Sequence, residues 1–441
     1  GLVGSEMCIR DRIYIAMKKL NILYTMFFIF CATHTVVAQN QELIRISDSL
    51  AMIPPLVNTN PGKKYNAKNL DYGMTIGIER TPGGRIWACW VGGGDNANAF
   101  FVLAWSDDEG KKWTKTKVVI DPHDESLPLK RRTIVGQLWT DPLGRLWLFF
   151  DQAMTYYDGR SGNWYTLCEN PDSENPVWSE PVYLGIGCTL QKPTVMSSGE
   201  WVLPVSIWPR SRMDILLEKG WKENPLKGAH PELDAKRGAH VMVSTDQGTT
   251  WEFRGMVKYP SPSFDEHLTI EKKDGSWWMT ARTGVGIWQS YSTDKGFTWT
   301  EPEKYQEHVN SRHFILRLKS GNLLLVRHGM PDEQLKSRSH LRAFISTDDG
   351  KTWSGNLLLD ERSGVSYPTG FQTPDGYIYI SYDHQRTREG DVLMARFTEE
   401  DILEGKIISE RGDLGMRISK PGRVKKSAAN IAARKKNKMK K

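Results

Sequence analysis

The chain has 441 residues with 39% hydrophobic side chains, enough to bury a large core, yet no internal boundary divides it into the two or three domains that its length suggests. Its formal charge of +7 is concentrated at one end: residues 425–441 hold eight Lys or Arg and no acid, so the body is close to neutral. A terminal basic run without aromatics reads as a solvated tail, so nucleic acid is not an expected partner.

In chain order, residues 1–16 look like an extraneous extension. Met17 then opens a secretory pattern: Lys18 and Lys19, an apolar run from Leu20 to Val37, and Val36-Val37-Ala38 before Gln39. Cleavage near Ala38 and a secreted or periplasmic location follow, with no stable membrane insertion afterwards; an uncleaved anchor is the other use of such a run. Cys31 follows Phe30 rather than a small residue, which disfavours a lipoprotein. Beyond that point stand Cys89, Cys168 and Cys188, an odd number that implies no disulfide framework and leaves one pair or buried free thiols open. Glu42 to Leu56 has a helical period. We therefore divide the chain into an extension plus signal (1–38), a lead-in (39–65), a repeat domain (66–410) and a basic tail (411–441).

Two repeats organise the domain. Ser-x-Asp-x-Gly-x-x-Trp occurs at Ser106–Trp113, Ser244–Trp251, Ser292–Trp299 and Ser346–Trp353, with a degraded fifth copy at Asn170–Pro181. Each copy suits a hairpin turn, in which Asp and Ser satisfy turn amides, Gly supplies a positive φ and Trp packs the loop down. A box has too few carboxylates to cage calcium. The second repeat is a Gly-centred turn leading into an apolar strand, at Gly84, Gly144, Gly199, Gly275, Gly321 and Gly376. Successive gaps of 60, 55, 76, 46 and 55 residues fit one four-stranded sheet per repeat. The prediction is an all-β, six-bladed propeller with Asp boxes. The widest gap contains Trp208 to Lys236, a long loop suited to a lid.

These boxes and blades resemble the sialidase superfamily over residues 66–410. The resemblance implies an exo-acting glycoside hydrolase that releases a terminal acidic sugar, sialic acid or a relative, from a glycan or glycoconjugate with retention, without metal or organic cofactor. Such a sugar carries a carboxylate on its anomeric carbon, which would repel a carboxylate nucleophile; the family uses a Tyr activated by a Glu, an Asp as acid/base and three Arg that clamp the carboxylate. Residue by residue, Asp95 stands eleven positions before Ser106 in a Gly-rich loop, as the family's Asp does. Glu266 and Arg282 keep the family's separation of sixteen, with the Ser292 box following. Arg338, eight residues before Ser346, fits the third Arg, with Arg342 as its competitor. Tyr367, nine residues before Gly376, fits the nucleophile at the start of the last blade.

The first Arg is absent. The family's Phe-Arg-Ile-Pro register falls on Met74, and Arg80 lies six residues on, about 20 Å along a strand. Arg131 or Arg132, entering blade two, is the candidate donor from a neighbouring sheet. His267, beside Glu266, and His384, after the Tyr367 hairpin, are candidate substrate contacts. His267, His313, His328 and His384 lack metal-ligand spacing. A monomer is expected. Two other functions fit the frame: a non-catalytic glycan-binding propeller using its many Trp for stacking, and a hydrolase or lyase of uronic-acid polysaccharides.

Overall fold

The computed structural model describes residues 18–19, 40–154, 162–213 and 224–424. The expected signal run from Leu20 through Ala38, the leading extension and residues 425–441 of the basic tail lie outside the described residues. Residues 40–49 are helical, with Arg45 paired to Glu42 at 2.6 Å. Among the described residues no helix is long and apolar enough to cross a membrane.

From residue 57 to 419 the described chain forms six antiparallel sheets of consecutive strands, the blades of a β-propeller: 57–120, 131–186, 194–257, 262–306, 314–360 and 365–419. The innermost strands are Met74–Arg80, Gly136–Thr140, the two-residue Thr194–Val195, Pro262–Glu271, Phe314–Arg317 and Val365–Gln372; those of blades one and two, four and five, five and six, and six and one meet directly, and Thr194 donates to Thr269 O across blades three and four. Blades stack face to face, so middle strands are covered on both sides. That is why Ile86–Gly92 and Leu146–Met154 read as nearly unbroken apolar runs and are buried throughout.

Six hydrophobic clusters fill the six junctions between blades. Trp139, Trp147, Phe149, Trp201 and Leu203 join blades two and three, and Ile78, Ala88, Val102, Tyr379 and Met394 join the last blade to the first. Trp87, Trp147, Trp277 and Trp278 are each less than 2% exposed; burying one removes 150–250 Å² from water, on the order of 5 kcal/mol of transfer free energy. Closure of the ring is reinforced by Glu109 of blade one, which pairs with Arg396 at 2.9 Å and with Arg411.

Each Asp box links the third and fourth strands of its blade. In the Ser292 copy, Ser292 Oγ donates to Asp294 Oδ1 and accepts from Gly296 N–H, both at 2.8 Å, while Thr298 N–H donates to Asp294 Oδ1 at 2.9 Å and Trp299 Nε1 to Gly296 O at 3.1 Å. Gly296 has φ +84°, and a Cβ there would lie 2.8 Å from the Trp277 ring. Asn170–Pro181 occupies the equivalent turn of blade two, and in blade six a helix, Glu399–Glu404 capped by Thr398, takes the place of a box.

The propeller is wider than the sequence suggests. Val57–Asn58 pairs with Val118–Ile120 as an extra edge strand, and Asp413–Ser419 completes blade six beyond residue 410. Both are edge strands, one too short for a pattern and the other half-exposed, so neither has the double-sided apolar signature of an interior strand. Cys89, Cys168 and Cys188 are free and buried.

Candidate active site

The start of a blade's innermost strand and the end of its second strand share one rim of the propeller, because the two run antiparallel. At this rim the innermost strands of blades four and six are irregular. Pairing shifts between Pro262 and Asp265, between Asp265 and Leu268, and between Ser366 and Thr369. Within these bulges Asp265, Glu266 and Tyr367 have φ of +55°, +44° and +61°, the left-handed region that side-chain-bearing residues rarely occupy. Such strain, of order 1–3 kcal/mol per residue, persists where surrounding structure enforces it and clusters at functional sites.

The bulges bring Glu266 and Tyr367 into one cavity with Asp95, Met74, Ile134, Val135, Leu190, Trp208 and Phe264. Asp95 stands at its exposed mouth, on the loop after Ile86–Gly92. Trp208 and Phe264 meet edge to face, 5.3 Å apart, and form an aromatic wall. The enclosed volume is about 40 Å³.

Arginines gather around Glu266 and Tyr367. Arg282 Nη1 donates to Glu266 Oε1 at 2.8 Å and its Nε to Asn310 Oδ1 at 2.6 Å; it also contacts Tyr367. Arg338 donates from Nε and Nη2 to Asn310 O at 3.3 and 2.9 Å. Asn310 thus orients two arginines, one with its side chain and one with its backbone. Arg312 is 1% exposed; its Nε lies 3.8 Å from Glu266 Oε2, yet Nε and Nη1 make no hydrogen bond. The guanidinium carbons of Arg386, Arg312 and Arg338 stand 3.8, 4.2 and 5.8 Å from the Tyr367 ring centroid. Burial pushes the Glu266 carboxyl up, but Arg282, Arg312 and Arg338 together outweigh it and hold the group at about 2. Arg338 is pushed down to about 10 by burial and by Arg282 and Arg386 beside it.

The other predicted residues lie elsewhere. Arg132 does not reach the clamp: it is wholly buried in an ion pair with Asp151, which also accepts from Ile134 N–H and Val135 N–H at 2.8 and 3.0 Å. The pair buttresses the cavity wall from behind. His267 is buried with Nε2 2.7 Å from His240 O, and burial pushes it down to about 4, so it is a neutral structural donor. His384 lies 3.8 Å from Asp391 and does not line the cavity. Of the expected lid, residues 214–223 lie outside the described residues, while Trp208 at its start lines the cavity.

Arg312, Arg386, Asn310 and Asp383 were not visible as site residues in the sequence. Arg312 precedes an innermost strand and Arg386 follows a second strand, the same places that yield Glu266, Arg282 and Asp95. Scanning every blade's rim for charged residues would have found both.

The chain matches the BNR repeat-like domain over residues 84–380. It is 25% identical to a sialidase of Bacteroides fragilis (strain YCH46) over 362 residues, 71% of this chain and 56% of that protein's length. Among solved structures, the intramolecular trans-sialidase of Ruminococcus gnavus has a TM-score of 0.57 at 14% identity, covering 78% of this chain and 98% of that one. The Hadza microbial sialidase Hz136 has a TM-score of 0.54 at 16% identity, covering 72% and 64%. The fold is therefore the sialidase-like glycoside hydrolase fold, and the chain belongs to the BNR repeat-like family of the sialidase superfamily.

Proposed function

We propose that this protein is an exported, retaining exo-glycosidase that releases a terminal acidic sugar, with Tyr367 as nucleophile. One observation carries the reading: a Tyr held in a strained bulge, in contact with an Arg282–Glu266 pair and ringed by further guanidinium groups. Export rests on the pattern from Met17 to Ala38.

A neutral phenol approaches an anomeric carbon that bears a carboxylate without the repulsion a carboxylate nucleophile would meet. As the substrate carboxylate engages the arginines, they release part of their hold on Glu266, which becomes a better proton acceptor. The Tyr367 proton passes to Glu266, the phenolic oxygen bonds to the anomeric carbon, and the glycosidic bond breaks as Asp95, in its acid form, protonates the leaving oxygen. Water then attacks the anomeric carbon, giving its proton to Asp95; the bond to Tyr367 breaks and the phenol regains its proton from Glu266. The arginines stabilise the negative charge that develops on the phenolic oxygen.

On an aryl α-glycoside of N-acetylneuraminic acid, Tyr367→Phe and Asp95→Ala each lower kcat at least about a hundredfold. Unchanged turnover in Tyr367→Phe would sink the nucleophile assignment. Binding without turnover is the second reading, favoured by the apolar Met74 in the cavity wall; it predicts saturable sugar binding and no product after prolonged incubation.

A further inference from the structure

We propose that Arg386 supplies the carboxylate-binding cation that blade one lacks, so that Arg282, Arg338 and Arg386 form a cradle for a sugar carboxylate drawn entirely from blades four, five and six. This rests on the functional reading above and sharpens its substrate class.

The position where an arginine would come from blade one is Met74, 2% exposed and part of the cavity wall. The next residue, Thr75, donates its backbone N–H to Asp383 Oδ2 at 3.3 Å. Asp383, wholly buried, uses Oδ1 to hold Arg386 Nε at 2.8 Å. One carboxylate of blade six thus stands against the vacant blade-one position and carries a guanidinium on its other oxygen. Arg386 Nη2 is fixed in turn by Ser366 Oγ at 2.8 Å, and Ser366 is the residue before Tyr367. The guanidinium is therefore pinned on two sides beside the reacting phenol, while its Nη1 has no hydrogen-bond partner among the described residues.

Charge points the same way. Arg282, Arg312, Arg338 and Arg386 gather around Tyr367 and are met by two buried carboxylates, Glu266 and Asp383. Arg312 has two nitrogens without partners despite being 1% exposed. Uncompensated buried cations are costly, and a substrate anion entering among them relieves that cost. Asp383 alone would satisfy a purely structural Arg386; an excess of cations converging on a Tyr is the arrangement of an anion site.

The test uses a ligand that is not turned over, the 2,3-unsaturated analogue of N-acetylneuraminic acid, and its methyl ester, titrated calorimetrically into the whole protein. The wild type binds the acid at least about tenfold more tightly than the ester. Arg386→Met removes roughly ten- to hundredfold of affinity for the acid and little for the ester, the span expected of one charge-assisted pair. Met74→Arg in that background restores much of the preference, because the new guanidinium reaches Asp383 from the opposite side. If Arg386→Met does not fold, Arg386→Gln reads the same ratio while keeping a hydrogen bond to Asp383. An acid-to-ester ratio within twofold of wild type in the folded variant overturns the assignment, as does a wild type that does not prefer the acid. If the acid is preferred but no sialoside is hydrolysed, the cradle stands and the catalytic reading falls. If sialosides are hydrolysed and the preference survives Arg386→Met, the catalytic reading stands and Arg386 is only structural.

Discussion

The Asp-box turns and the bulged rim solve opposite problems with the same kinds of residue. In a box, each polar group finds its partner within a few residues: Ser292 serves Asp294 and Gly296, and Asp294 serves Thr298. At the rim, Glu266 and Tyr367 hold positive φ on large side chains, Glu266 Oε2 and two Arg312 nitrogens lack hydrogen bonds, and the partners that exist come from sixteen or more residues away, some of them from the next blade. A turn closed on itself is copied easily from blade to blade. A cluster left unsatisfied holds its charges ready for something that is not part of the chain.

Breaking the rim should therefore cost far more than breaking a box. Glu266→Gln removes the one carboxylate that pairs with Arg282 and Arg312 among the described residues, leaving buried guanidinium groups without that counter-charge; we expect a stability loss of about 3–5 kcal/mol in denaturant unfolding, with kcat lowered at least about a hundredfold. An equally stable variant would mean that the arginines do not depend on Glu266. Acid should probe the same pair. Its folded pKa of about 2 lies below the ordinary 4.5, so the stabilisation is present above pH 4.5 and is lost as pH falls towards 2. In contrast, Ser292→Ala deletes a hydroxyl bridging one box and should cost about 1 kcal/mol, with kcat and KM unchanged. A loss of activity there would show that the boxes do more than hold hairpins.

The smallest effect expected lies at the edge of the rim. His123 lies with Nδ1 2.6 Å from Asp121 Oδ1 and Nε2 2.7 Å from Ala97 O, on the Asp95 loop. Two acceptors require both ring nitrogens to donate, hence a protonated ring. Burial opposes that charge, but Asp121 and the Ala97 carbonyl raise the His123 pKa above 6.5. Its stabilisation is complete below pH 6.5 and is lost as pH rises through the folded value. Thermal melts of wild type should soften slightly over that range, and those of His123→Gln should not.

The sequence was most legible where interactions are local. Four boxes and six turn glycines counted the blades, and the family resemblance, counted from the boxes and from Gly376, pointed to Asp95, Glu266 and Tyr367, which the structure brings into one cavity, and to Arg282 and Arg338, which it sets beside them. The same resemblance put Met74 where the family's first Arg would stand, and the structure places it in the cavity wall. Arg132 shows the limit: its place at the entry to blade two made it a candidate donor to the clamp, but Asp151, nineteen residues on, captures it inside blade two. His267 follows Glu266 in sequence but turns to His240 O, since neighbouring positions on a strand face opposite ways, and His384 lies against Asp391 rather than in the cavity.

By itself, then, the sequence determined the number of blades and their box-bearing turns, since turn chemistry and strand alternation act over ten residues or fewer, and through the family resemblance it pointed to five of the residues at the rim. Tertiary structure decided which charges meet. Asn310 joining Arg282 to Arg338 and Arg312 lying against Tyr367 depend on neighbouring blades packing side by side, and Asp383, which holds Arg386, meets Thr75 only because the last blade closes onto the first. Local periodicity carries no information about partners that only ring closure brings together.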